Sequence, residues 1–184
     1  MRYLLKIFLL SFSFIALVGC GGVVEEPQAT PSPVNAVPSR VPTSSAPTCQ
    51  GSDPAIAKGQ PDSFDEGKNA AAITKTDGLK IVDLKNGTGS VVKTGQCVTA
   101  HYSLFLADGT PIESSRSASG SGAFKFAPGT GSVIKGWDEG VPGMKVGGRR
   151  RLTIPPALAY GPQAQGKIPA NSILVFIIEV YKVQ

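Results

Sequence analysis

Residues 97–109 read Cys97-Val98-Thr99-Ala100-His101-Tyr102-Ser103-Leu104-Phe105-Leu106-Ala107-Asp108-Gly109. From Cys97 to Leu106 the side chains alternate with a period of two, the pattern of a strand with one face on a core, and Asp108-Gly109 is a strong hairpin signal. A sheet therefore organises this part of the chain, and the sequence on both sides extends it. Leu79 to Leu84 alternates before a turn at Asn86-Gly87, and Arg151 to Ile154 and Ile173 to Val183 read as two further strands. Between these, Ser132 is a candidate cap for a short helix that carries Val133, Ile134, Trp137 and Val141 at helical spacing and ends at Pro142-Gly143. The class is α+β, an antiparallel sheet around one short helix.

Upstream the composition changes. Six prolines (Pro27, Pro31, Pro33, Pro38, Pro42 and Pro47) stand among Ala, Ser, Thr and Val with no apolar period, so residues 20–72 read as an extended, disordered linker, ordered only near its end. The first nineteen residues read as an export signal: a basic start at Arg2 and Lys6, then an apolar run from Ile7 to Val18 that is shorter than the ~18–20 residues of a membrane-spanning helix. The run ends Leu17-Val18-Gly19-Cys20, which resembles the lipobox of bacterial lipoprotein signals and makes Cys20 the expected lipidated N-terminus; the alternative is an ordinary cleaved signal with an incidental cysteine. Acyl chains would hold the protein at a membrane, each buried methylene contributing ~0.8 kcal/mol. The expected location is extracytoplasmic, on the outer membrane where the cell has two, because Gly21-Gly22 lacks the Asp that often follows the cysteine of lipoproteins retained at the inner membrane.

The 184 residues suit one globular domain, placed at residues 73–184, and an expected monomer. The formal charge is +5, or +3 without Arg2 and Lys6, too mild to imply a nucleic-acid partner. One histidine, His101, and three cysteines without CxxC spacing offer no metal cluster, and no cofactor is expected. Gly131 to Gly136 has phosphate-loop spacing, but Trp137-Asp138 stand where Lys and Ser or Thr are needed, and there is no GxSxG elbow. Arg149-Arg150-Arg151 reads as solvated charge at a strand end.

His101-Tyr102, Asp108-Gly109-Thr110, Glu113-Ser114-Ser115-Arg116, Phe124-Lys125-Phe126, Val133-Ile134-Lys135-Gly136-Trp137, Val146-Gly147, Ala159-Tyr160-Gly161, Ile168-Pro169 and Leu174-Val175-Phe176 follow in the order and near the spacing of the FKBP-type peptidyl-prolyl cis–trans isomerase domain. The resemblance covers about Thr76 to Gln184. It implies a five-stranded antiparallel sheet wrapped on a short helix, an apolar cleft for a prolyl residue, and proline-containing polypeptides as substrates. By position Trp137 is similar to the tryptophan that floors the family's pocket, with Tyr102, Phe124, Val133, Ile134 and Phe176 as walls and Ile112 and Ile168 as further contacts. Tyr160 resembles the tyrosine whose hydroxyl bonds a substrate carbonyl, the Ile134 N–H is the analogous second donor, and Glu113 stands where the family has Asp. Two departures stand out: Ile112 replaces a common Phe, and Glu113 adds a methylene. The Ser- and Gly-rich stretch from Ser117 to Ala123 replaces bulkier family residues and offers few contacts for a macrolide.

With Tyr102 facing the pocket, Val98, Ala100 and Leu104 share its side, and Cys97, Thr99, His101 and Ser103 face the other. Cys97 then lies on the outer face, and with Cys20 lipidated, Cys49 and Cys97 remain as a candidate disulfide pair; the alternative is two independent thiols.

Overall fold

The computed structural model describes residues 49–53 and 55–184. The leader, Cys20 and the linker up to residue 48 lie outside the described residues.

Eight antiparallel strands form one sheet among the described residues: β1 (Gly51–Asp53), β2 (Ile73–Thr74), β3 (Lys80–Lys85), β4 (Val98–Leu106), β5 (Pro111–Ser114), β6 (Ala123–Phe126), β7 (Arg149–Ile154) and β8 (Leu174–Val183). Their order is β1-β6-β4-β8-β7-β3-β2, with β5 paired to β4. The five longer or central members, β3, β4, β6, β7 and β8, supply the expected five-stranded sheet, and β1, β2 and β5 are short additions. β4 is the axis. One edge pairs with β8 along its whole length, from Val98 opposite Val183 to Leu106 opposite Leu174. The other edge is shared by β6, which takes Val98 to Ala100, and β5, which takes Ser103 to Phe105 after the Asp108-Gly109 hairpin. In that turn the Asp108 carboxylate accepts from the Thr110 N–H at 2.9 Å.

The single α-helix among the described residues, α1 (Lys135–Gly140), lies on β7. Glycines permit the approach: a Cβ on Gly136 would meet the Ile154 side chain at 2.4 Å, and one on Gly140 would meet Leu152 at 2.7 Å. The helix starts later than its sequence suggests. Ile134, not Ser132, is the N-cap, in extended conformation with no side-chain cap. Ser132 Oγ instead donates to the Ala127 carbonyl at 2.9 Å, and the Asp138 carboxylate accepts from the N–H groups of Gly129 at 2.7 Å and Gly131 at 2.9 Å. Fixing the incoming loop has displaced capping as the work of these polar groups.

Alternation along β4 sends Val98, Ala100, Leu104 and the half-buried Tyr102 into the main core with Trp137, Leu152, Ile154, Phe176 and Ile178. The opposite face is not open to water. Thr99, His101, Ser103 and Phe105 on it are all buried, and Phe105, Val175 and Ile177 form a second cluster with Phe64 and Leu84. The cover comes from the end of the stretch expected to be linker, where partial order was expected: residues 55–66 pack across this face and β1 adds a strand beside β6.

The arginine run supplies the clasp, which corrects its reading as solvated charge. Arg149 Nη2 donates to the Asp62 carboxylate and, at 2.8 Å, to Glu66. Arg151 Nη1 donates to the backbone carbonyls of Phe64 and Glu66. Arg150, facing the other way as a strand period of two requires, forks onto Asp83 at 2.6 and 3.1 Å and reaches the Gly140 carbonyl at 2.7 Å, the end of α1. Cys49 and Cys97 are joined in a disulfide with Cα atoms 5.3 Å apart, closing a sequence separation of 48. By loop-closure entropy such a bridge contributes about 4 kcal/mol.

Candidate functional site

The concave face of the sheet and α1 enclose a cleft of about 230 Å³ lined by Tyr102, Leu104, Glu113, Phe124, Ser132, Val133, Ile134, Trp137, Tyr160 and Phe176. Each side chain arrives by sheet register. Tyr102 and Leu104 stand two apart on β4; Phe176 on β8 lies opposite Leu104, Glu113 on β5 opposite Leu104 on the other edge, and Phe124 on β6 opposite Ala100. Trp137 enters from α1 and Tyr160 from the connection between β7 and β8, just after a 3₁₀ turn at Pro156–Leu158.

The rings form a continuous set of edge-to-face contacts. Trp137 lies 5.5 Å from Tyr102, 5.2 Å from Phe176 and 6.2 Å from Phe124, centroid to centroid, and Phe126 backs it at 4.9 Å while stacking on Phe124 at 5.6 Å. Such pairs each contribute ~0.5–1.5 kcal/mol beyond burial, so the walls are fixed before any ligand arrives. The Trp137 Nε1–H is buried without a hydrogen-bond partner, and the indole offers an apolar surface.

Polar groups are few. The Tyr102 hydroxyl donates to Glu113 Oε1 at 2.7 Å. Burial, reinforced by that bond and the Glu113 charge, pushes the Tyr102 phenol far above the usual tyrosine range, and burial followed by the same charge raises Tyr160. Both stay protonated at physiological pH; Tyr102 donates to Glu113, and the Tyr160 hydroxyl is left able to donate. Tyr160 is 38% exposed at the rim. The Ile134 N–H, just ahead of the helix, donates to no protein acceptor among the described residues.

Of the residues singled out from the sequence, Tyr102, Glu113, Phe124, Val133, Ile134, Trp137, Tyr160 and Phe176 meet in this cleft. Two do not line it. Ile168 is buried in the core at 7% exposure. Ile112, where the β4–β5 register shifts, packs partly against the same core and borders a neighbouring hollow. Leu104 and Ser132 also line it: Leu104 shares the Tyr102 side of β4, as the alternation of that strand predicts, whereas Ser132, a cap candidate in the sequence, reaches the cleft from the loop it ties down.

Chemically, this is a small, mainly aromatic cavity with hydrogen-bond donors at its edge. It suits an apolar ring attached to a polar amide.

Residues 89–181 match the family model described as FKBP-type peptidyl-prolyl cis-trans isomerase. The chain is 46% identical over 109 residues to the peptidyl-prolyl cis-trans isomerase Fkbp12 of Drosophila melanogaster, covering 58% of this chain and 99% of that one. It is 43% identical over 112 residues to FK506-binding protein 4 of Aspergillus fumigatus, covering 61% of this chain but only 22% of that protein, so it spans about a quarter of the length of such fungal relatives. Among solved structures it is similar to AtFKBP13, with a TM-score of 0.58 at 35% identity over 62% of this chain and all of that one. FkpA from Escherichia coli gives a TM-score of 0.57 at 35% identity, over 64% of this chain and 54% of that one.

Proposed function

The chain belongs to the FKBP-type peptidyl-prolyl cis–trans isomerase family, and on that premise we propose that it accelerates rotation about X–Pro bonds in exported polypeptides while anchored to a bacterial membrane through Cys20. The observation that carries the reading is the cleft itself: a Trp137 floor walled by Tyr102, Phe124 and Phe176, with Tyr160 at its rim.

Rotation about X–Pro faces a barrier of ~18–20 kcal/mol because the planar imide is resonance-stabilised and hydrated. A prolyl ring seated on Trp137 carries its imide out of water, which removes solvation that favours the planar, charge-separated form. Tyr160 and the Ile134 N–H donate to substrate carbonyls and hold the chain on either side while the bond turns. Only interactions stronger in the twisted state raise the rate, each ~1.4 kcal/mol being tenfold. Tyr102, anchored by Glu113, keeps the wall in place. The alternative is a peptide-binding holdase of low activity, which Ile112 in place of a flat ring favours; Ile112 lies beside the aromatic walls of the cleft rather than among them.

An isomerisation assay on Ala-Leu-Pro and Ala-Phe-Pro peptides tests the chemistry: absence of acceleration, with aggregation of an unfolded client still suppressed, would select the holdase. The anchor is tested separately, by mass spectrometry of the N-terminal peptide. A diacylglyceryl-modified Cys20 is expected, and Cys20→Ser releases the protein from membranes; an unmodified N-terminus elsewhere would reject the anchor and leave the isomerase reading intact.

A further inference from the structure

A larger hollow, about 590 Å³, adjoins the prolyl cleft. Its floor is the outer-face side of β4 and β5, with Ser103, Phe105 and Ser114; one wall is Pro61 and Asp62 from the covering segment, and the other is the serine-rich loop 117–121. Glu113 lines both cavities. The connection between β7 and β8 also spans them, placing Tyr160 in the cleft and Lys167 in the hollow. Two chain elements therefore run from one cavity into the other.

The covering segment builds this hollow. Besides providing one wall, it pins the other: Lys58 Nζ donates to the carbonyls of Ser117 at 3.1 Å and Gly120 at 2.7 Å, and Arg116 Nη1 holds the Lys58 carbonyl at 2.6 Å. A Cβ on Gly120 would sit 2.6 Å from the Ser114 carbonyl oxygen, so the loop lies hard against β5. Short serines and glycines leave the volume vacant. The charges around it differ in how they are met. Asp62 is paired with Arg149 and accepts from Ser103 Oγ at 2.7 Å; Glu113, at the boundary with the cleft, accepts from the neutral Tyr102 hydroxyl and keeps its charge; exposed Lys167 has no ion pair or side-chain hydrogen bond among the described residues.

We propose that this hollow is a second binding site, for the stretch of polypeptide that continues from a proline held in the cleft, and that Lys167 makes it prefer stretches carrying a carboxylate. The proposal rests on the isomerase reading. The volume lies within the ~300–1,000 Å³ of typical ligand pockets, and an extended chain rising ~3.3 Å per residue enters it within a few residues of the proline. Ser103, Ser114 and Ser117 spend their hydroxyls within the fold, which leaves Ser119 and Ser121 on the loop to serve backbone amides of any sequence, and the lysine adds the selectivity.

The test uses the mature chain, a proline tetrapeptide, and twelve-residue peptides with the same core flanked on either side by Glu or by Lys. The Glu-flanked peptides should show kcat/KM about threefold above the Lys-flanked ones, the size expected for an exposed pair, with the gap shrinking in added salt. Lys167→Glu should reverse the order. Lys58→Ala, whose side chain borders neither cavity, should turn over the tetrapeptide as wild type does but lose the gain from flanking residues. Equal kcat/KM for Glu and Lys peptides, or a preference that survives Lys167→Glu, overturns the proposal. If the tetrapeptide is not turned over, the isomerase reading fails instead, and fluorescence anisotropy with the same labelled peptides decides the groove by the same ranking.

Discussion

Substituting Asp62→Asn tests whether the covering segment is part of the domain or merely lies on it. The Asp62 side chain is 2% exposed and bonds Arg149 and Ser103, with Arg116 Nε 3.7 Å away. Removing one partner of a buried ion pair costs ~3–5 kcal/mol because the other charge is left in a low dielectric. Here Arg149 keeps Glu66 at 2.8 Å and is 27% exposed, and Arg116 keeps Glu179, so the loss lies at the low end, about 3 kcal/mol. Trp137 is the single tryptophan and is buried in the core, so its fluorescence in a urea titration reports global unfolding. A fall of about 3 kcal/mol, or roughly 10 °C in Tm, is expected if cover and sheet unfold together. If the cover opens on its own, Trp137 reports little while amide exchange over residues 55–66 accelerates by about a hundredfold, the same free energy expressed locally. A loss under about 1 kcal/mol with no change in exchange would show that the clasp contributes nothing and refute the reasoning.

Tyr160→Phe removes one rim donor and should lower kcat/KM on a proline tetrapeptide by about two- to tenfold, the worth of one neutral hydrogen bond, without altering the urea midpoint; unchanged turnover would remove Tyr160 from the mechanism. Gly136→Ala forces a methyl into Ile154 and should destabilise by ~1–3 kcal/mol, visible as a lower thermal midpoint, whereas a neutral result would mean that α1 does not ride as close to β7 as described. His101 is wholly buried against Ser115, with its proton affinity depressed by burial and then by the Arg116 charge. The unfolded chain therefore binds the extra proton first, so stability should fall as pH drops below about 6.5, and His101→Gln should flatten that slope between pH 7.5 and 5.5; equal slopes would place the pH dependence elsewhere.

The sheet and cleft were legible for one reason: their signals are local. Period-two alternation from Cys97 to Leu106 sets which side chains face the helix, and the rings of Tyr102, Phe124, Trp137 and Phe176 stand on regular elements at readable positions. What could not be read depends on contacts between distant residues. The segment 55–66 has no periodicity because it neither pairs along its length nor winds; its order comes from Arg149 and Arg151, more than eighty residues away. The arginines misled for the same reason, since a charge run looks solvated until its partners are known. Ser132 misled through competition, as its hydroxyl could cap a helix or tie a loop, and local sequence does not rank the two. At β5, alternation is interrupted: Glu113 stands opposite Leu104, but the register shifts before Pro111, and local sequence does not reveal that irregularity at Ile112.

The Cys49–Cys97 bridge also sets how the domain bears load. Tension applied to the chain N-terminal to Cys49 does not travel through residues 50–96 one peptide after another; it crosses the disulfide and enters at Cys97, one residue before β4 begins. β4 is the central strand, paired with β8 over nine residues and with β5 and β6 on its other edge. The pull is thus spread over the largest set of hydrogen bonds in the sheet, and β1, the cover and β3 lie off the line of force. A protease cut anywhere in residues 50–96 would leave the two ends coupled. Through one covalent short circuit, residues 50–96 are relieved of both mechanical and topological responsibility for holding the domain to whatever precedes it.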